Sequence, residues 1–285
     1  MVQIKIAVPN KGRLCEPAIK LLEDAGIGVI DKGERQLFAR TRDKTVELVF
    51  VRAQDVPQMV ARGAMDLGIT GYDLIVESGA RVVELLDLKF GNAKMVIATK
   101  AKGDLKKLKQ PLRIATEFPN ITKRYFREKG IRVQISKITG SAEITPLIGV
   151  ADVIVDLVST GTTLRVHGLK IVDEILDTSA RLVANPKSLQ KKRVKIEQIK
   201  TALESVIRAR GMRLILMNVP EEKLEEVKRI VPGMAGPTIS RVESETPMLA
   251  IQAVVWADQV EKIIRQAKEA GAQDILVLPI ERVLP

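Results

Sequence analysis

Cysteine and histidine are almost missing from this chain of 285 residues, where Cys15 and His167 each stand alone. A single cysteine excludes an intramolecular disulfide, and one thiol with one imidazole cannot build a structural zinc site. Both absences fit a reducing cytoplasm, the expected location. Aromatic residues are scarce too: five Phe, two Tyr and one Trp. They offer no stacking platform for nucleic acid, although the formal net charge is +11. Lysines and arginines are spread along the chain, and their densest run, Lys187–Arg193, reads as a solvated helix start. No nucleic-acid partner is expected, and the excess charge points to polyanionic small molecules. No apolar run reaches the roughly 18 residues of a membrane span, so no membrane partner is expected either. The opening MVQIKIAVPNKG reads as a strand and lacks a signal-peptide core.

What is present is an alternation of strands and helices. Ile4–Val8, Thr45–Val51, Met65–Thr70, Lys94–Thr99, Leu112–Ala115 and Val133–Ile138 read as strands. Cys15–Ala25, Asp55–Arg62, Tyr72–Ser78 and Ile121–Lys129 read as helices, the second capped by Asp55 with Pro57 in its first turn. Such alternation means an open α/β sheet with ligands at the carboxyl ends of its strands. Six loops there are small and polar: 9–13, 51–55, 70–73, 116–120, 139–143 and 159–163. That is more than turn chemistry needs, and it implies two lobes facing a cleft. Chain near 86–97 and again near 171–184 reads as the crossings between them. A helical segment, Lys187–Arg210, follows. From Met212 the order becomes strand, helix, strand, strand, helix, strand, the βαββαβ of a ferredoxin-like unit.

The most telling stretch is ADVIVDLVSTGTTL at 151–164. Val153, Ile154 and Val155 form a run of the kind a parallel sheet buries on both faces. Asp156 comes off the carboxyl end of that strand. Ser159, Thr160, Gly161, Thr162 and Thr163 follow, with no bulky side chain among them. Amides and hydroxyls of such a loop converge on one anion, and a helix opening near Thr163 adds its positive end. A phosphate monoester suits the loop, and Asp156 sits about one ribose away from it.

An apolar strand, one acid and D-L-V-S-T-G-T-T-L resembles the phosphoribosyl-pyrophosphate (PRPP) loop of the ATP phosphoribosyltransferase family. Leu157 stands where many other PRPP enzymes carry a second acid. The resemblance covers nearly the whole chain. It implies a two-lobed, periplasmic-binding-protein-like catalytic part over 1–210 (lobe I about 1–90 and 180–210, lobe II about 91–179). It also implies a ferredoxin-like regulatory domain over 211–285. The implied reaction is Mg²⁺-dependent transfer of phosphoribose from PRPP to N1 of ATP, the first step of histidine biosynthesis. Asp156 and Glu143, of GSAEITP, are placed on the ribose hydroxyls or on Mg²⁺ waters. Lys11, Gly12, Arg13, Arg52, Thr70 and Gly71 are placed at the pyrophosphate and ATP phosphates, with Lys11 also counted as catalytic; Arg35 is placed toward ATP. No histidine or cysteine base is needed, because adenine N1 is already a neutral lone pair and catalysis is orientation and electrostatics.

In the C-terminal unit, NVPEEKL and GPTIS resemble segments lining the effector pocket of long-form relatives, which bind histidine as feedback inhibitor. Asn218, Thr238 and Ser240 are the expected contacts, with Asn218 where an acid is expected. Assembly from dimers to hexamers is implied as well. A transferase with another acceptor base, or a two-lobed small-molecule binding protein, uses the same outline.

Overall fold

The computed structural model describes residues 3–30, 37–100, 105, 109–140, 142–159, 161–234 and 236–284. They divide into two compact units, Met1–Lys200 and Thr201–Pro285.

The first unit carries two sheets. One takes β1 (Ile4–Pro9), β2 (Phe38–Arg40), β3 (Val46–Val51), β4 (Leu67–Gly71), β5 (Val83–Asp87) and the late strand β11 (Ala180–Ala184), in the order β2-β3-β1-β4-β11-β5. β1 runs parallel to β3 and β4, and β11 runs antiparallel to β4 and β5. Ile4, Ile6, Ala7 and Val8 are all fully buried, as a central strand covered on both faces requires. Helices α1 (Cys15–Asp24), α2 (Val56–Ala61) and α3 (Tyr72–Ser78) follow β1, β3 and β4. α1 buries Ala18, Leu21 and Leu22, the i, i+3, i+4 face of an amphipathic helix.

The second sheet takes β6 (Ala93–Thr99), β7 (Leu112–Thr116), β8 (Val133–Lys137), β9 (Val153–Val158) and β10 (Lys170–Thr178), in the order β10-β6-β9-β7-β8. Helix α4 (Pro119–Glu128) joins β7 to β8, and α5 (Thr162–Val166) follows β9. Val153, Ile154 and Val155 are buried as expected, yet β9 is parallel only to β7 and antiparallel to β6. The sheet is mixed because β6, the strand by which the chain enters the lobe, runs against the other four; β10, by which it leaves, lies at the edge beside β6 and runs the same way as β9. All six polar loops follow the carboxyl ends of strands: β1, β3 and β4 in one lobe, β7, β8 and β9 in the other.

The segment expected as one helix from Lys187 to Arg210 is two: α6 (Pro186–Lys191) and α7 (Arg193–Arg210). Asn185 caps α6, its Oδ1 accepting from the amides of Lys187 and Ser188. The break at Lys192 has a cause. Its Nζ donates to both Asp66 oxygens and to the Gln3 carbonyl, each at 2.8 Å, so the residue expected on a solvated helix start is a clasp. Asp66 also accepts from Lys5 N and Ser188 Oγ. Lys192→Met is therefore expected to lower the thermal midpoint by roughly 4–8 °C, as an almost buried carboxylate loses its cation at about 2 kcal/mol. Thermal unfolding followed by circular dichroism checks this, and a midpoint unchanged within 1 °C would contradict it.

The second unit holds β12 (Met212–Pro220), α8 (Leu224–Ile230), β13 (Thr238–Val242), β14 (Met248–Trp256), α9 (Val260–Glu269) and β15 (Gln273–Pro279). The antiparallel order β13-β14-β12-β15 with two helices on one face is the ferredoxin-like arrangement. Ile215, Met217, Val219, Ile251, Ala253 and Val255 pack against Val227, Val260, Ile263 and Ala267. The two units divide within α7, ahead of the boundary expected at 210. The end of that helix goes with the second unit, since Ser205 O accepts from Val283 N and Ala209 packs on Met212 and Val283. Among the described residues, no helix is long and apolar enough to cross a membrane.

Candidate active site

A cavity of about 400 Å³ lies at the end of β9, lined by Glu143, Asp156, Ser159, Gly161, Thr162 and Thr163 among others. The structure thus brings Glu143 together with five of the six residues expected to bind PRPP; the sixth, Thr160, lies outside the described residues. α5 opens at Thr162, one residue before the expected start. Gly161, the residue before it, has φ +72°, a left-handed conformation that favours glycine. As a glycine it supplies no side-chain cap to α5.

Asp156 does not come off the carboxyl end of its strand. It sits inside β9, in register with Val96 of the antiparallel neighbour β6, two residues before the end at Val158. Its Oδ1 accepts from Leu157 N at 2.7 Å. Burial pushes its carboxyl up to about 6, and the charges of Glu117 and Glu143 act in the same direction. Glu117 is a site residue that sequence reasoning missed. It belongs to the 116–120 loop after β7, which pairs in parallel with β9 through Thr116 and Val155. Glu117 Oε1 accepts from Gly140 N, which ties that loop to the one carrying Glu143. Among the described residues no three metal-binding side chains are grouped to hold an ion by themselves. Two carboxylates at one cavity with a third acting on them fit a divalent cation that brings most of its own oxygen ligands.

In the other lobe the loops after β3, β1 and β4 stand side by side in the sheet. Lys11 is exposed, and Gly12 has φ +80°. Arg13 Nη2 lies 3.7 Å from Asp73 Oδ1. Arg52 is exposed, and its carbonyl accepts from Asp55 N. Two expectations are corrected here. Asp55 makes no side-chain cap on α2. Thr70 is fully buried and its hydroxyl donates to the Ala53 carbonyl, so its side chain holds the 51–55 loop. Gly71 stands where a Cβ would lie 2.3 Å from Asp73 Oδ1, so it makes room for that carboxylate. Arg35 lies outside the described residues. His167 closes the carboxyl end of α5 and takes no part in the site.

A second cavity of about 400 Å³ shares Val158 and Ser159 with the first and reaches Asp87, Lys94, Thr178, Ser179 and Arg181 at the crossings between lobes. The crossings are bonded to each other: Leu88 N donates to Ala180 O and Ala180 N to Phe90 O. Arg181 bridges to Asp87 at 2.7 Å and lies over the Tyr72 ring, 5.3 Å from its centre.

In the ferredoxin-like unit, Ser240 and Asn218 both pair with Ala250, and Thr238 pairs with Gln252. The three expected effector contacts therefore share the sheet face opposite the helices. Asn218 Nδ2 donates to Asp274 Oδ2 at 3.0 Å, so an acid does stand at this place, supplied by β15.

Comparison with known proteins gives a consistent result. The family model described as ATP phosphoribosyltransferase matches residues 52–205, and the one described as HisG, C-terminal domain, matches 209–282. An ATP phosphoribosyltransferase of Methanopyrus kandleri is 51% identical over 284 residues, covering 99% of this chain and all of its own. That of Methanothermobacter thermautotrophicus is 48% identical over 287 residues, with both chains fully covered. Among solved structures, the ATP phosphoribosyl transferase HisG:HisZ complex from Thermotoga maritima aligns with a TM-score of 0.66. Its identity is 32%, over 72% of this chain and 98% of the matched one.

Proposed function

The chain belongs to the ATP phosphoribosyltransferase family, and from that premise we propose how its residues divide the work. The reaction forms a bond between N1 of ATP and C1 of PRPP and breaks the bond from C1 to pyrophosphate. It opens histidine biosynthesis. The observation that supports the assignment most directly is the cavity in which Asp156 and Glu143 face the Ser159–Thr163 loop. The 5′-phosphate of PRPP takes the loop's amides and hydroxyls, including those of Thr162 and Thr163 at the start of α5. Asp156 and Glu143 accept hydrogen bonds from the ribose hydroxyls or from water on Mg²⁺. When bound, Mg²⁺ neutralises the departing pyrophosphate. Lys11, Arg13 and Arg52 attract the pyrophosphate and the ATP phosphates, and Gly12 lets the backbone come close. As charge builds on C1, the carboxylate of Asp156 stabilises it from inside the strand. The enzyme's location is the cytoplasm, a reading supported by the near absence of cysteine.

The ferredoxin-like unit is the seat of histidine feedback. Asp274 supplies the acid for the effector's amino or imidazole group, Asn218 orients that acid, and Thr238 and Ser240 offer hydroxyls. The same face carries Leu276 and Leu278, 58% and 46% exposed, which favours assembly of copies of this chain into dimers and hexamers.

The test is an assay with ATP, PRPP and Mg²⁺ coupled to pyrophosphatase, following phosphoribosyl-ATP by its absorbance with and without histidine. Product that falls as histidine is added supports both assignments. Product indifferent to histidine sinks the effector reading alone. No product with PRPP still bound points to another acceptor base. Trp256, the single tryptophan, lies in the second unit and gives an independent signal, since its fluorescence is expected to change on histidine titration.

A further inference from the structure

The loop after β1 is tied to both crossings between the lobes. Leu14 is buried, and a Cβ on Gly91, in the first crossing, would lie 2.3 Å from Leu14 Cδ2. Arg13 meets Asp73, and Asp73 meets the second crossing. Thr178 Oγ1 donates to Asp73 Oδ1 at 2.6 Å and accepts from Asp73 N at 3.0 Å. Asp73 is 2% exposed and Thr178 4%, so this pair exchanges its hydrogen bonds away from water. An acid in the first turn of a helix ordinarily serves its own helix, but α3 receives no side-chain cap from the residue before it and Asp73 turns to Thr178 instead. Tyr72 N donates to Ser179 O, so the start of α3 is held to the crossing by backbone as well.

We propose that Asp73 is a positioning residue that aims the Arg13 guanidinium, and that Thr178 sets its carboxylate, so that lobe closure and the presentation of Arg13 to substrate phosphate are coupled. The inference rests on the reading of Arg13 as a phosphate ligand. A residue on a loop needs an outside brace to hold a charged fork in one orientation, and Oδ1 is shared between the hinge hydroxyl and the guanidinium. When the lobes turn about the crossings, Thr178 moves with them and draws Asp73 Oδ1 along. Gly71 leaves the space in which that carboxylate sits.

The experiment is a double-mutant cycle on the full chain with PRPP saturating and ATP varied. Asp73→Asn keeps the shape and removes the charge, and is expected to raise KM for ATP about fivefold while KM for PRPP stays within about twofold. Arg13→Gln raises KM for ATP by at least as much. In the Arg13→Gln background Asp73→Asn adds nothing further, because its effect passes through the missing guanidinium. Thr178→Val, which leaves Asp73 in place, is expected to raise KM for ATP in the same direction and serves if Asp73→Asn folds poorly. If the two effects multiply, or if Asp73→Asn shifts only the thermal midpoint, the positioning inference is overturned while the role of Arg13 stands. If Arg13→Gln alone leaves KM for ATP unchanged, the assignment of Arg13 fails and takes the inference with it.

Discussion

Asp156→Asn is expected to lower kcat by about 10²–10³, the loss that follows removal of one preorganised electrostatic group from a site where charge develops. The variant keeps the volume and can still accept one hydrogen bond from ribose, so KM for PRPP moves far less than kcat. The same substitution is expected to make the metal-free protein more stable. Burial pushes the Asp156 carboxyl up to about 6, with Glu117 and Glu143 adding to it. In the unfolded chain the group titrates near the ordinary carboxylate value, so the folded state holds its proton more tightly. No penalty from this group exists below that ordinary value. It grows as pH rises toward 6 and is complete above it. At pH 7.5 asparagine removes it, and the midpoint rises by about 2–4 °C. At pH 4 wild type and variant converge. Loss of activity together with loss of stability at pH 7.5 would make Asp156 a structural residue and contradict the assignment.

Much of this fold is legible because its strands and helices announce themselves by composition. Tyr72–Ser78 has the bounds read from sequence, and the other strands and helices given ranges there shift by a residue or two at an end, apart from the segment after Lys187. The βαββαβ order needs only the switch between the periods of strand and helix. Strand direction is another matter. Nothing in VIVDLV distinguishes a strand with one antiparallel neighbour from one with two parallel neighbours, because both are buried on both faces. The division of Lys187–Arg210 was hidden for a similar reason. Lys192 looks like any solvated lysine until Asp66, far away in the chain, is brought to it.

The candidate site divides along the same line. The loop at 159–163 is contiguous, and a contiguous loop can be read from its letters. Glu117 could not be, since its importance comes from β7 lying beside β9 and not from its neighbours in TEFPN. A surplus acid in a loop already identified at a strand's carboxyl end was the available signal. Thr70 failed in the opposite direction. It sits in the right loop, but its hydroxyl is turned inward to Ala53, and strand alternation alone does not say which way a terminal residue faces. Asn218 reads as the loss of an acid, whereas the carboxylate of Asp274, on a neighbouring strand of the sheet, stands beside it.

Gly161→Val is expected to raise KM for PRPP about 10²-fold, leaving KM for ATP nearly unchanged and the thermal midpoint within a few degrees. The cause is conformation and not space. A Cβ at this position meets only Val158 Cγ1 at 3.7 Å, an ordinary contact, so no clash forces the loop apart. The backbone, however, has φ +72°, and a β-branched residue there costs about 1–3 kcal/mol. The loop escapes that cost by rotating residue 161 out of the left-handed region, which turns the amides at the start of α5 away from the phosphate. A dianion that loses two charge-assisted hydrogen bonds loses about 3 kcal/mol, or two powers of ten. Gly161→Ala carries the smaller penalty of an unbranched side chain and falls between wild type and valine. This ranking separates a conformational role from a steric one. If alanine is harmless and valine destructive in proportion to bulk alone, the positive φ is not what holds the phosphate. Graded loss of PRPP binding at constant ATP binding, measured by calorimetry on the metal-loaded enzyme, fixes the anion at the loop that opens α5.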